Sequence, residues 1–206
     1  MRFAVLVAAL AAALTQAAVA ATSPPLTASE KAFVAQTSAS LNAKYPTTTS
    51  ARSAGFTMLF DTIGDDNTYD WTNMSFTGVA PDSPNFLWYD RHGHLAGVDW
   101  EFPTSGSAPA PKLAAFPVLA ARWVKIPEHV HYAYTVNGKM KYGVTKATPA
   151  LRTGAITAPE LRANGAKLPS DAKLSWAMYH PAVWDLAMWT VPNPSGPFAD
   201  KNPNVK

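Results

Sequence analysis

His129-Val130-His131-Tyr132-Ala133-Tyr134-Thr135-Val136-Asn137-Gly138-Lys139-Met140-Lys141-Tyr142-Gly143-Val144-Thr145 carries the strongest local signal in the chain. Asn137-Gly138 lies between two strand-like runs. Asn-Gly is the favoured pair for a two-residue type I′ turn, whose central residues both need positive φ. A turn of that length fixes the register. Val136 faces Lys139, Thr135 faces Met140, Ala133 faces Tyr142 and His131 faces Val144. Side chains alternate across a strand, so one face of the hairpin carries His129, His131, Ala133, Thr135, Met140, Tyr142 and Val144. The other carries Val130, Tyr132, Tyr134, Val136, Lys139 and Lys141. Neither face is plainly polar, so partial cover on both is expected.

The segments before this hairpin follow the same logic. Thr27-Ala28-Ser29-Glu30 is a capping box, in which the Thr27 hydroxyl accepts from the Glu30 amide and the Glu30 carboxylate reaches back to the Thr27 amide. Phe33, Thr37, Leu41 and Tyr45 follow at four-residue spacing, which predicts a helix from Ala28 to about Lys44, ended by Pro46. Thr47 to Ala54 reads as a second short helix closed by Gly55. The period then changes. Phe56 to Phe60, Tyr69 to Phe76, Asn85 to Tyr89 and His94 to Phe102 read as strands, the last two joined through Asp90-Arg91-His92-Gly93 as a hairpin. Trp88 and Trp100 lie on its two strands, so a cross-strand aromatic contact is expected. Pro103 to Pro117, rich in Pro, Ala and Ser, reads as a long surface loop.

After the hairpin, Thr157-Ala158-Pro159-Glu160 is a second capping box, and Asn164-Gly165 closes its short helix. Leu174 to Tyr179 and Trp184 to Val191 are apolar runs separated by Pro181, which reads as two strands rather than one helix. The second is expected to be central, because it is apolar on both faces. The sum is a single α+β domain, mainly antiparallel sheet with two or three short helices and the N-terminal helix first.

Met1 to Ala21 has the pattern of an export signal. Arg2 is a short positive segment, Phe3 to Leu14 is an unbroken apolar run, and Ala18-Val19-Ala20 supplies small residues at a cleavage site. Residues 1–20 are read as a signal peptide and 21–206 as one exported domain, periplasmic or extracellular. The alternative, an uncleaved anchor, fits less well because the run is Ala-rich and ends in a cleavage motif. No membrane span is expected after cleavage. The chain has 206 residues, 48% apolar and 15% charged, against roughly 25% charged in an ordinary globular domain. Seven Trp, seven Tyr and nine Phe supply apolar bulk, which excludes a disordered chain. There is no Cys, which excludes disulfides, thiolate metal sites and thiol nucleophiles. A net charge of +3 with scattered Lys and Arg excludes a nucleic-acid binder.

The blocks Leu87-Trp88-Tyr89-Asp90 with Gly93, Leu95 and Gly97, then His129-Val130-His131, then His180-Pro181-Ala182-Val183-Trp184-Asp185-Leu186 and Pro192-Asn193-Pro194-Ser195-Gly196-Pro197-Phe198-Ala199, resemble a group of exported bacterial proteins of unknown function. The resemblance covers the chain from about Tyr45 onward, and its C-terminal block is the specific part. It implies export and carries no catalytic residue across.

Four of the five His residues form two His-x-His pairs. On a strand, His129 and His131 project side by side from one face, which is how a strand offers two imidazoles to one metal ion. His180, at the Pro-marked end of another strand, is a candidate third ligand. Three neutral imidazoles with an open fourth position suit Zn²⁺ or Cu²⁺. Asp90, Asp99, Glu101, Glu128 and Asp185 are the carboxylates available to join or orient them. The competing reading is that His129 and His131 are half-buried polar positions beside Met140 and Tyr142. His92 and His94 flank Gly93 in a turn and are read as solvent-facing. Asp185 sits in an apolar strand, where a carboxylate needs a partner. It either orients His180 or accepts from backbone amides or from Arg91, Arg122, Arg152 or Arg162. The chain has no Gly-x-Ser-x-Gly elbow, P-loop, Gly-x-Gly-x-x-Gly or His-Glu-x-x-His. The leading expectation is therefore a module binding a small ligand or metal ion. A hydrolase with a His base and Asp185 as orienter is the first alternative. An envelope interaction protein without a pocket, showing an exposed apolar patch, is the second. Oligomeric state is not readable from the sequence.

Overall fold

A computed structural model describes residues 24–59, 67–73, 75–76, 80–152 and 155–206. The export segment and part of the Tyr69–Phe76 reading lie outside the described residues. Among the described residues, three α-helices and nine strands make an α+β domain with a helix first, as the sequence predicts. Helix α1 spans Ala28–Lys44 and α2 spans Thr48–Ser53. Six strands then form one antiparallel sheet in the order β1 (Thr57–Met58), β2 (Tyr69–Thr72), β3 (Phe86–Tyr89), β4 (Leu95–Pro103), β9 (Val183–Trp189) and β5 (Val124–Ile126). The remaining strands form a second antiparallel sheet in the order β7 (Lys139–Lys146), β6 (His129–Val136) and β8 (Lys173–His180). Helix α3 spans Ala158–Ala163. Among the described residues, no helix is long and apolar enough to cross a membrane.

Local chemistry explains each helix. The Thr27 hydroxyl accepts from the Glu30 amide at 3.1 Å, and Glu30 Oε2 accepts from the Thr27 amide at 2.8 Å. The Thr157–Glu160 box does the same for α3. Glu30, Phe33, Thr37 and Leu41 form the buried stripe of α1, which packs on one face of the six-stranded sheet with Trp71, Leu87, Tyr89, Val98, Trp100, Leu186 and Met188. Phe116 from the Pro-rich loop closes this core, 5.5 Å from Trp100 and 5.8 Å from Phe33 between ring centroids. The loop is thus pinned at its end, and the Trp184 indole also donates to Ala108 O at 3.1 Å.

The β6–β7 hairpin takes the expected register at every pair, with Asn137 at φ 52° and Gly138 at φ 71°. Its Val130, Tyr132 and Tyr134 face packs with Leu151, Leu161 and Leu168 in a second core around α3. Strand β9 is central, between β4 and β5. The expected Trp88–Trp100 contact is not formed. Trp88 pairs with Gly97, and Trp100 lies an odd number of residues further along β4, hence on the opposite face. Trp88 lies over the bare Gly97 backbone and meets Trp189 instead, at 5.1 Å between centroids.

The face of the six-stranded sheet turned away from α1 is the one that matters for chemistry. Register places Asp70 opposite Trp88, Trp88 opposite Gly97, and Glu101 opposite Asp185, with Asp99 two residues from Glu101. Four carboxylates therefore share one sheet face.

Candidate functional site

Strand β8 answers the question that the sequence leaves open. It pairs with the free edge of β6, and His180 is the direct cross-strand partner of His129. His131 follows on the same face, so three imidazoles meet. Their ring centroids are 4.4 Å apart for His129 and His131, 4.7 Å for His129 and His180, and 5.5 Å for His131 and His180.

His129 and His180 are stacked with planes 19° apart, and His131 is tilted by 66° and 72° to them. In each, Nδ1 is engaged by an oxygen outside the cluster: Pro127 O for His129 at 2.8 Å, the Tyr142 hydroxyl for His131, and Pro181 O for His180 at 2.8 Å. The Nε2 atoms of His129 and His131 meet each other, whereas that of His180 meets Glu101 on β4. His129 Nε2 is 2.7 Å from His131 Nε2, and His180 Nε2 is 3.0 Å from Glu101 Oε2.

Hydrogen-bond bookkeeping assigns the protons. A carbonyl only accepts, so His129 donates through Nδ1 and its neutral Nε2 carries a lone pair. The proton in the 2.7 Å contact then belongs to His131 Nε2, and His131 Nδ1 accepts from Tyr142. Burial, reinforced by the neighbouring His129 and His180, pushes the His131 pKa down to about 3, and burial lowers His129 as well. Burial and the charge of Asp70 raise the Tyr142 phenol, keeping it a donor. His180 differs. Burial works against its charge, but the hydrogen bond and charge of Glu101, the Pro181 carbonyl and Asp185 outweigh that and raise its pKa. The Nδ1 contact to Pro181 O and the Nε2 contact to Glu101 Oε2 both favour the protonated ring.

Glu101 is the residue that sequence reasoning did not single out. It was one of five carboxylates available, and its 79-residue separation from His180 leaves no local signal. Asp185 lies beside it on β9 but does not orient His180; its Oδ1 is buried without a hydrogen-bond partner, as is Asp99 Oδ1. Burial, then the neighbouring Glu101 charge, pushes Asp185 up to about 8. Burial, then Asp185, Glu101 and Asp70, raises Asp99 well above its ordinary value. Of the four arginines weighed as partners of Asp185, Arg122 is committed to Glu30, Arg152 to Glu128 and Arg162 to the carbonyls of Leu168 and Pro169, and Arg91 is exposed in the turn after β3.

The second His pair is turn chemistry, as expected. Asp90 Oδ1 accepts from the His92 and His94 amides at 2.8 and 2.9 Å, and both rings are exposed. Exposed apolar side chains include Met140, Tyr142 and Val144, which share one face of the edge strand β7 next to the imidazoles. Glu128 accepts from Tyr179 at 2.9 Å and from Arg152, outside the cluster.

As the side chains stand, no group of three or more His, Asp or Glu among the described residues is arranged to hold a metal ion. The His129 and His131 nitrogens stand closer together than a shared ion allows. Two imidazoles on one ion, with bonds near 2.0–2.1 Å at tetrahedral angles, keep their nitrogens about 3.3 Å apart. The 2.7 Å contact is a hydrogen bond, not a chelate. The ring centroids, however, already stand near the roughly 5 Å that such a site requires. Comparison with protein-family models, with curated proteins and with solved structures gives no match.

Proposed function

We propose that the protein is an exported module that binds one Zn²⁺ or Cu²⁺ ion through His129, His131 and His180, with Glu101 as a fourth ligand or as the group that orients His180. The observation that carries this reading is the meeting of three imidazoles and a carboxylate, each Nδ1 engaged by an oxygen, with the Nε2 atoms of His129 and His131 against each other and that of His180 against Glu101. Ligating histidines are oriented in that way, with the outer nitrogen fixed by a carbonyl, carboxylate or hydroxyl. Imidazole nitrogens with a carboxylate oxygen suit both ions.

Loading follows from the proton positions. A bound ion would be held by His129, His131 and His180 with Glu101 beside it, in place of the proton shared by His129 and His131 and the one shared by His180 and Glu101. His131 moves its proton from Nε2 to Nδ1, where the Tyr142 oxygen accepts it. His180 gives up its Nε2 proton to solvent. The His129 and His131 nitrogens separate by roughly 0.6 Å, within side-chain rotation. Hydrolysis with a His base has weaker support. His180 has no lone pair while Glu101 and Pro181 both accept from it, and Asp185 does not touch it.

Calorimetric titration of metal-free protein with Zn²⁺ and Cu²⁺ tests the reading. A one-to-one isotherm is expected, and it disappears in the His129→Ala/His131→Ala double variant. Absence of heat, or the same isotherm in the folded double variant, removes it.

A further inference from the structure

We propose, resting on the metal reading above, that the ion of the imidazole cluster is copper, and that the cluster holds its monovalent form, Cu⁺, with the Met178 sulfur as a further ligand beside His129 and His131. The chain has no Cys, so a soft donor can come only from its methionines. Register brings one of them to the cluster. Met178 is the direct cross-strand partner of His131, as His180 is of His129.

The side on which Met178 stands follows from its neighbours, because side chains two apart on a strand share a face. His180, two residues after it, meets His129 at 4.7 Å between ring centroids, and Trp176, two residues before it, meets Tyr142 at 6.4 Å. Tyr142 in turn stacks on His131 at 5.8 Å. Both neighbours therefore lie on the imidazole face, and Met178 lies between them, half-buried. Directly opposed residues keep their Cβ atoms about 4.5–5.5 Å apart, within reach of an unbranched side chain with three rotatable bonds. Met140, on the same face, is paired with Thr135, four residues from His131 and so roughly 13 Å along the strand. Of these two methionines, Met178 is the one that the fold assigns to the cluster.

The donor set decides between the ions. Imidazole suits zinc and copper alike, whereas a thioether is a soft donor that favours Cu⁺. The residues that continue this face past His131 are Met178, then Tyr142 and Trp176 on either side of Ala133. They offer an ion a sulfur and aromatic rings rather than the carboxylate oxygens that harder ions take.

The test uses the full protein, stripped of metal with EDTA and dialysed. Cu⁺, supplied as Cu²⁺ with excess ascorbate under nitrogen, is titrated against the competing chelator bicinchoninate, and Zn²⁺ is titrated by calorimetry. Met178→Leu is expected to weaken Cu⁺ binding at least about tenfold, the lower figure for losing a group that supports a metal site, and to leave Zn²⁺ affinity unchanged. In wild type carrying methyl-labelled methionine, Cu⁺ is expected to shift one methyl resonance that is missing from the Met178→Leu spectrum, and Zn²⁺ to leave it in place. Thermal melts confirm that the variant folds, and the wild-type spectrum decides the matter if it does not. The proposal is overturned if the folded variant keeps wild-type Cu⁺ affinity, if both ions weaken alike, or if no methyl resonance moves with Cu⁺. Zinc binding by wild type alongside any of these results removes the thioether ligand alone. Wild type that binds neither ion removes the metal reading with it.

Discussion

Replacing Glu30 by Ala removes the one carboxylate that joins the N-terminus of α1, the segment around Leu119 and Arg122, and, through the guanidinium, the chain at Pro24. Glu30 is fully buried. Its Oε1 accepts from Arg122 Nε at 2.9 Å and from the Leu119 amide at 3.2 Å, and its Oε2 accepts from the Thr27 amide. Arg122 is 6% exposed, so the substitution leaves an uncompensated buried cation. Breaking a buried pair in this way costs about 3–5 kcal/mol. The linkage route gives a similar figure. Burial pushes the Glu30 carboxyl up, but the hydrogen bonds from Arg122, Thr27 and Leu119 and the guanidinium charge hold it at about 2, against 4.5 unperturbed. At about 1.4 kcal/mol per unit that is roughly 3 kcal/mol. The depressed value fixes the sign. The stabilisation is complete above about pH 4.5 and is lost as the pH falls towards 2. Urea unfolding of wild type, Glu30→Ala, Arg122→Ala and the double variant, at pH 7 and at intervals down to pH 2, measures both effects. Each single variant should lose about 3–5 kcal/mol at pH 7, the double variant clearly less than the sum, and Glu30→Ala should show a shallower acid limb. A loss under about 1 kcal/mol, strict additivity, or an unchanged acid limb would refute the assignment.

Four further outcomes are expected. Gly97→Ala places a Cβ 2.3 Å from Trp88 Cε3 and should destabilise by about 1–3 kcal/mol in urea unfolding. Gly138→Ala meets no atom within 4 Å, so only its φ of +71° opposes it, and a loss of about 1 kcal/mol is expected by the same measurement. Zinc binding should release one proton per ion near neutral pH, from His180, read from the buffer dependence of the calorimetric heat; His180→Gln should abolish the release. Asp185→Leu removes a buried oxygen without a partner and should raise stability by about 1–2 kcal/mol, seen as a higher melting temperature.

What the sequence made legible is what is local. The Thr27 and Glu30 capping box gave α1 its start, and Asn137-Gly138 gave the β6–β7 register, because both depend on residues within a few positions of one another. The two imidazoles of β6 were legible for the same reason. The second edge of β6 was not, since β8 lies across a helix and two loops and nothing in Lys173–His180 marks its partner. Strand β5 was missed because Val124–Ile126 is too short to show a period and is a strand only by virtue of lying against β9. The Trp88–Trp100 contact fails because the register, which no local residue marks, puts Trp88 opposite Gly97, three residues from Trp100 and so on the other face. Glu30 was read as a cap and is also the buried partner of Arg122, a role set 92 residues away.

The carboxylate face shows why stability and function pull apart in this fold. Asp70, Asp99, Glu101 and Asp185 share one side of the six-stranded sheet, where side chains between two packed layers would ordinarily be apolar. The fold compensates them unequally. Glu101 has the His180 imidazole at 3.0 Å, and Asp99 has the Trp88 indole as a donor while its second oxygen has none. Asp185 has no hydrogen-bond donor at Oδ1, although a Leu at this place in β9 would continue the apolar run of Val183, Trp184 and Leu186. A carboxyl held there costs stability and fits no packing purpose. Its carboxyl lies opposite Glu101, so the row of acids runs up to the imidazole cluster. Burial and then the Glu101 charge raise its pKa, so the fold meets part of the cost of this row by favouring a bound proton rather than a partner.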